Sequence, residues 1–144
     1  MSGRRVDIVA ASHPHAVTLL AAARRAEPYH ITGWGVPPET AFAIAYDGDR
    51  PVVGAAIRHE SDGLTTATRW CVVRGAEPSH GAALLDALEA AASRAHSTRV
   101  RLDSTVFLAG AVVPWEERGY VVGPPYDGDA DVSTWAERSI PPGA

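Results

Sequence analysis

Two turn signals set between three strand-like runs constrain this chain more than any other feature. Asp47-Gly48-Asp49 separates residues 41–46 from 52–59, and Ser61-Asp62-Gly63 separates 52–59 from 65–73, a run rich in β-branched residues. Turns of this chemistry reach positive φ, so the spacing predicts a meander of three antiparallel strands. Residues 79–96 follow, with Leu84, Leu85, Leu88, Ala91, Ala92 and Ala95 on one stripe opposite Asp86, Glu89 and Arg94. That period of about 3.6 predicts a long helix with one buried face.

The flanking signals are shorter. Residues 6–10 form an apolar strand, and Ser12 with Pro14 supplies an N-cap and a first-turn proline. Ala16, Leu19, Leu20, Ala23 and Ala26 then recur at helical spacing up to Pro28, which predicts a helix over 14–27. Residues 28–39 hold Tyr29, His30, Gly33, Trp34, Gly35, Pro37 and Pro38, a loop or irregular short helix whose aromatic groups could line a pocket. Beyond the long helix come a strand at 100–104, a helix at 109–118 ended by Gly119, and strands at 120–122 and 132–136. The predicted order is β-α-loop-β-β-β-α-β-α-β-β.

Composition bounds what such a chain does. At 144 residues it reads as one domain over 1–144, with residues 137–144 as a frayed tail, and it buries roughly 70 % of its unfolded surface. It is 46 % hydrophobic and 21 % charged with mean hydropathy -0.07, which fits a packed domain and excludes general disorder. A net charge of -4, with no basic run, supplies no field for a phosphate backbone, so nucleic acid is excluded as a partner. Cys71 alone cannot form an internal disulfide or a multi-cysteine zinc site, which points to a reducing compartment. The start MSGRR lacks a signal-peptide core, and no apolar run approaches the ~20 residues of a membrane span, so the expectation is a cytoplasmic protein with no membrane partner.

Four segments carry a resemblance: Pro51-Val52-Val53-Gly54, GAALLDALEAAA at 81–92, VRLDS at 100–104 and WEERGY at 115–120. With the element order, they make the chain resemble the GNAT N-acetyltransferases over nearly its whole length, and the alanine and arginine bias resembles chains from high-GC bacteria. The resemblance implies an α/β fold with a mixed six- or seven-stranded central sheet flanked by about four helices. It also implies transfer of an acetyl group from acetyl-CoA, as co-substrate, to the amine of a small molecule, by direct attack aided by backbone donors on the third meander strand. A homodimer is compatible with it. In that family a loop of the form Arg/Gln-x-x-Gly-x-Gly/Ala opens the long helix and holds the pyrophosphate on backbone N–H groups. Here its positions fall on Ala76, Ser79 and Gly81, so the basic residue is replaced, and Glu77 and Pro78 intervene. Val73, Arg74, Ser79, His80, Gly81 and Ala82 are the implied cofactor contacts. The alternative is a plain strand-to-helix connection with Ser79 as N-cap, in a protein that has lost CoA binding and serves as a binding module or a CoA-independent enzyme.

The family's usual general base and acid fall on Ala67 and Trp115, neither of which exchanges protons near neutral pH. Tyr126, Asp103 and Arg69 are the remaining candidates for catalytic roles, and Tyr29, His30, Trp34 and Asp127 for acceptor contacts. In this fold the 29–34 loop and the Tyr126 turn flank the acceptor side and are expected to converge there. Period-two alternation puts Arg69, Cys71 and Val73 on the face of Ala67, with Cys71 either a small buried residue or a nucleophile. His13 and His15 lack a third ligand for zinc. Asp127, Asp129 and Asp131 lack the glycine and glutamate of a calcium loop, which leaves a solvated turn able to attract an amine.

Overall fold

A computed structural model describes residues 5–26, 36–60, 62–123 and 135–141. Strands β1 (Val6–Ala10), β2 (Ala41–Asp47), β3 (Arg50–His59) and β4 (Leu64–Val72) pair in sequence order, all antiparallel. Helix α1 (Pro14–Ala26) follows β1, and α2 (Pro78–Arg94) carries the chain from β4 to β5 (Arg99–Leu102), which lies parallel to β4. After the short helix α3 (Thr105–Leu108) come β6 (Val121–Gly123) and β7 (Trp135–Ser139). The result is a mixed seven-stranded sheet in the order β1-β2-β3-β4-β5-β7-β6, with three helices among the described residues.

Alternation along β2 divides the core. Phe42, Ile44 and Tyr46 face Ala16 and Leu19 of α1, while Ala43 and Ala45 face the layer built on Leu84, Leu85 and Leu88 of α2. Each face of the sheet therefore receives one of the two long helices, and Val106 of α3 joins the α2 side. The meander and the long helix lie where the sequence puts them.

Two expectations are corrected. Residues 109–118 form successive turns rather than a helix, with the one-turn α3 preceding them. Pro114 has no N–H to give a helical ladder, and Trp115 N–H donates to the Val113 carbonyl at 2.8 Å, two residues back. Gly119, at φ 96, closes this run. The chain end is also ordered further than expected. Glu137, Arg138 and Ser139 pair with Arg101, Val100 and Arg99, and Ile140 is buried, its N–H on the Thr98 carbonyl at 2.9 Å. β7 lies between β5 and β6 and pairs with both, which holds this segment in the sheet.

Leu88 is fully buried under the sheet. Leu88→Ala should lower stability by about 2 to 5 kcal/mol, measured by urea unfolding at an unchanged slope. An unchanged midpoint would contradict this packing.

Candidate functional site

The site begins where two strands part. β4 and β5 pair only over Leu64–Ala67 and Arg99–Leu102, and their last bond runs from Asp103 N–H to the Ala67 carbonyl at 3.1 Å. At this crotch the β3–β4 register slips: Ala56 faces Thr68, yet Gly54 faces Cys71, so β4 carries one extra residue. Arg69 sits in that bulge at φ 59, a conformation a non-glycine keeps only where its surroundings enforce it. Asp103 does much of the enforcing. Its Oδ2 accepts the Arg69 N–H at 3.4 Å and lies 3.9 Å from the Arg69 guanidinium.

The extra residue overturns the reading from simple alternation. Trp70 now shares the core of Ala67, while Cys71 joins Leu19, Phe42 and Ala56 on the opposite face. Burial, and then the negative charge of Asp103, push the Cys71 thiol up to about 12, with Arg69 pulling the other way. Its Sγ–H donates to the Arg69 carbonyl at 3.1 Å. A thiol protonated throughout the physiological range packs and is no nucleophile.

The crotch is filled by the chain itself. Trp70 N–H donates to Thr105 Oγ1 at 2.9 Å, and Asp103 Oδ1 accepts both the Thr105 N–H, at 3.1 Å, and the Thr105 hydroxyl. The bulge N–H groups, the donors expected to assist acyl transfer, are thus taken by Asp103 and Thr105. Burial raises the Asp103 carboxyl above the usual carboxylate range, outweighing the Thr105 hydroxyl, the two N–H groups and the Arg69 charge. Behind this pair, Val106, Ala109 and Val113 are buried in one core with Trp70 and Leu84.

The loop ahead of α2 is organised differently from the expected anion cradle. Glu77, not Ser79, is the N-cap, with Pro78 as the first helical residue. His80 is 1 % exposed and turns inward, Nδ1 accepting the Glu77 N–H at 2.9 Å and Nε2 lying 3.9 Å from Asp47 Oδ1. The His80 and Gly81 N–H groups donate to the Glu77 carbonyl at 2.9 and 3.3 Å. A Cβ on Gly81 would lie 2.8 Å from Val113 Cα and closer still to the Val112 carbonyl oxygen. The glycine admits the chain's own backbone. The first turn of α2 is thus capped by a carboxylate, and the chain's own backbone fills the space on the Cβ side of Gly81. One cationic feature escaped the sequence reading. Arg50 Nη2 donates to the Arg74 carbonyl at 2.8 Å, and its guanidinium lies against Gly75, at φ 95, so Arg50 joins the exposed Arg74 at this loop. The contact spans 24 residues, and no local pattern signals it.

On the opposite face the sheet is open. Arg58 pairs in register with Thr66, Thr66 with Arg101, and Arg101 with Glu137, so these side chains form one row across β3, β4, β5 and β7. Two cavities of about 410 and 520 Å³ lie over this row and share Arg58, Thr68 and Arg69. Val36, Pro37 and Glu39 bound the first; Glu60, Asp62, Arg101 and Trp135 bound the second. Of the residues singled out in the sequence, the structure brings Arg69 and Asp103 together and puts Arg74 on the loop after β4 and Ser79, Gly81 and Ala82 in the first turns of α2. Tyr29, His30, Trp34, Tyr126 and Asp127 lie outside the described residues, as do the expected convergence of their loops and the Asp129–Asp131 pair. His15 Nδ1 meets the Tyr46 hydroxyl at 2.8 Å, and His13 Nδ1 accepts the His15 N–H at 3.1 Å. Among the described residues no three acidic, histidine or cysteine side chains are grouped to hold a metal, and no helix is long and apolar enough to cross a membrane.

Gly81→Ala separates a filled space from an open cradle by sign. Against the Val112 carbonyl the new methyl should destabilise by about 1 to 3 kcal/mol in chemical denaturation. If the space were open, alanine's higher helix propensity should instead stabilise by up to about 1 kcal/mol.

No family model matches the sequence, and no curated protein is significantly similar to it. Solved structures do match it. A Klebsiella pneumoniae protein provisionally named an acyl-CoA N-acyltransferase superposes with TM-score 0.72 at 20 % identity, over 95 % of this chain and 97 % of that one. A GNAT-family acetyltransferase from Staphylococcus aureus does so with TM-score 0.66 at 10 % identity, over 95 % and 100 %. N-acetylglutamate synthase from Neisseria gonorrhoeae, solved with coenzyme A and N-acetyl-glutamate, matches with TM-score 0.66 at 15 % identity, over 96 % of this chain and 36 % of its own. The mixed sheet, the parallel β4–β5 pair that parts at the bulge and these superpositions together establish that the chain has the GNAT acetyltransferase fold.

Proposed function

We propose that this protein binds a small molecule in the cleft over β3, β4 and β5 and has no acyl-CoA partner. The observation that carries the reading is the pair of bulge N–H groups, of Arg69 and Trp70, already held by Asp103 and Thr105. The carboxylate cap of Glu77 on the first turn of α2 supports it at the loop where the resemblance would seat the pyrophosphate. The cleft offers what a ligand site needs: concavity, apolar walls in Val36, Pro37 and Trp135, and polar groups from three adjacent strands. We place this activity in the cytoplasm, where a lone buried thiol such as Cys71 stays reduced.

A second reading is transfer of an acetyl group from acetyl-CoA to the amine of the bound molecule. The fold and the two guanidinium groups at the 74–77 loop favour it, since Arg50 and Arg74 lie where a pyrophosphate would approach. In it, Arg74 and the backbone at Val73, Ser79 and Ala82 make the cofactor contacts, and Arg69, Asp103 or Tyr126 handles protons.

Calorimetry with acetyl-CoA at millimolar concentration, paired with melting curves, decides between them. The first reading expects neither heat nor a shift; ligand at a hundredfold excess over Kd would add about 2.7 kcal/mol of stability and could not be missed. Saturable binding, weakened by Arg74→Ala, would overturn the first reading in favour of the second.

A further inference from the structure

Resting on the cleft as the binding site, the geometry points to a small zwitterion, an α-amino acid in chemical class, as its ligand. The charges lining the two cavities are balanced and sorted by position. Arg58 of β3 and Arg69 of β4 line both cavities and so occupy the middle, while Glu39 lines only the first, and Glu60, Asp62 and Arg101 only the second. A bare anion would find the arginines but face carboxylates at both ends, and a bare cation would meet guanidinium groups in the middle. A molecule with both charges satisfies both sets.

The assignment of ends follows from what already holds each group. Arg101 is braced by Glu137, Nε to Oε1 at 3.0 Å, and Arg69 is a half-buried guanidinium that lies 3.9 Å from Asp103. Arg58, with its side chain 71 % exposed, is only loosely paired with Glu60 at 3.8 Å. Thr68 lines both cavities together with Arg58 and Arg69, and a hydroxyl with two guanidinium groups on one cavity wall makes a carboxylate seat. At the other end, Asp62 pairs with Arg99 at 3.5 Å, whereas Glu39 is in no ion pair among the described residues. The ligand's carboxylate therefore sits on Arg58, Arg69 and Thr68, its ammonium faces Glu39, and its side chain lies along Val36, Pro37 and Ala56.

The test is thermal melting, then calorimetry, of the whole chain with each of the twenty common L-amino acids at millimolar concentration. The tightest of them is then compared with its decarboxylated amine, its N-acetyl form and inorganic phosphate. The expected result is saturable binding of at least one amino acid, with affinity reduced about tenfold or more in both truncated forms. Arg58→Gln and Glu39→Gln, both at exposed positions whose variants should melt as the parent does, should each weaken binding about tenfold. Binding by no amino acid overturns the proposal, as does equal binding of the amine or of phosphate, the latter marking a bare anion site. Acetyl-CoA binding, read separately, would overturn only the account of the cofactor groove.

Discussion

One extra residue in β4 determines how this molecule is arranged. If β3 and β4 ran in register to their ends, Arg69 would project into the α2 core beside Ala67, and β5 could continue along β4. The bulge instead puts Trp70 into that core, sends Cys71 to the α1 side and leaves Arg69 at φ 59 over the open cleft. A left-handed arginine carries strain, and a neighbouring element must hold it. Asp103 does so with its carboxylate, and it can because β5 ends where the bulge begins.

The same carboxylate couples the two sides of the sheet. Asp103 and Thr105 bridge the Arg69 and Trp70 N–H groups, which ties the start of α3 to β4 and leads the turns after it onto α2, where Val113 is fully buried and Val112 meets Gly81. A buried polar cluster of this kind is stable only when its members are satisfied together. Filling the groove on the α2 side and presenting Arg69 on the other are therefore two results of one packing arrangement. The GNAT architecture is retained, with the crotch between β4 and β5 bridged by the chain's own Asp103 and Thr105.

Much of the architecture was legible because periodicity reports burial directly. Leu84, Leu85 and Leu88 mark the α2 face, and the Asp-Gly turns at 47–49 and 61–63 place the meander. The site was less legible because its controlling features are not periodic. A bulge leaves no mark in the alternation of Thr66, Ala67 and Thr68, yet it reverses every face beyond it. The N-cap went to Glu77 because His80 could turn inward and accept its N–H, and the burial of that ring is set by packing that no local pattern encodes. Residues 109–118 carry helical spacing, but Pro114 breaks the ladder and burial of Val106, Ala109 and Val113 fixes the turns instead. Arg50 reaches the 74–77 loop from the start of β3, a contact no local motif encodes.

The most direct test of the account is amide hydrogen exchange at Arg69 and Trp70, followed by NMR with and without acetyl-CoA. If Asp103 and Thr105 hold these N–H groups as part of the core, both amides should be protected to a level approaching global stability and unchanged by the cofactor. Rapid exchange in the free protein, with protection or shifted resonances on adding acetyl-CoA, would contradict the account and mean that the groove between β4 and β5 is open to a ligand.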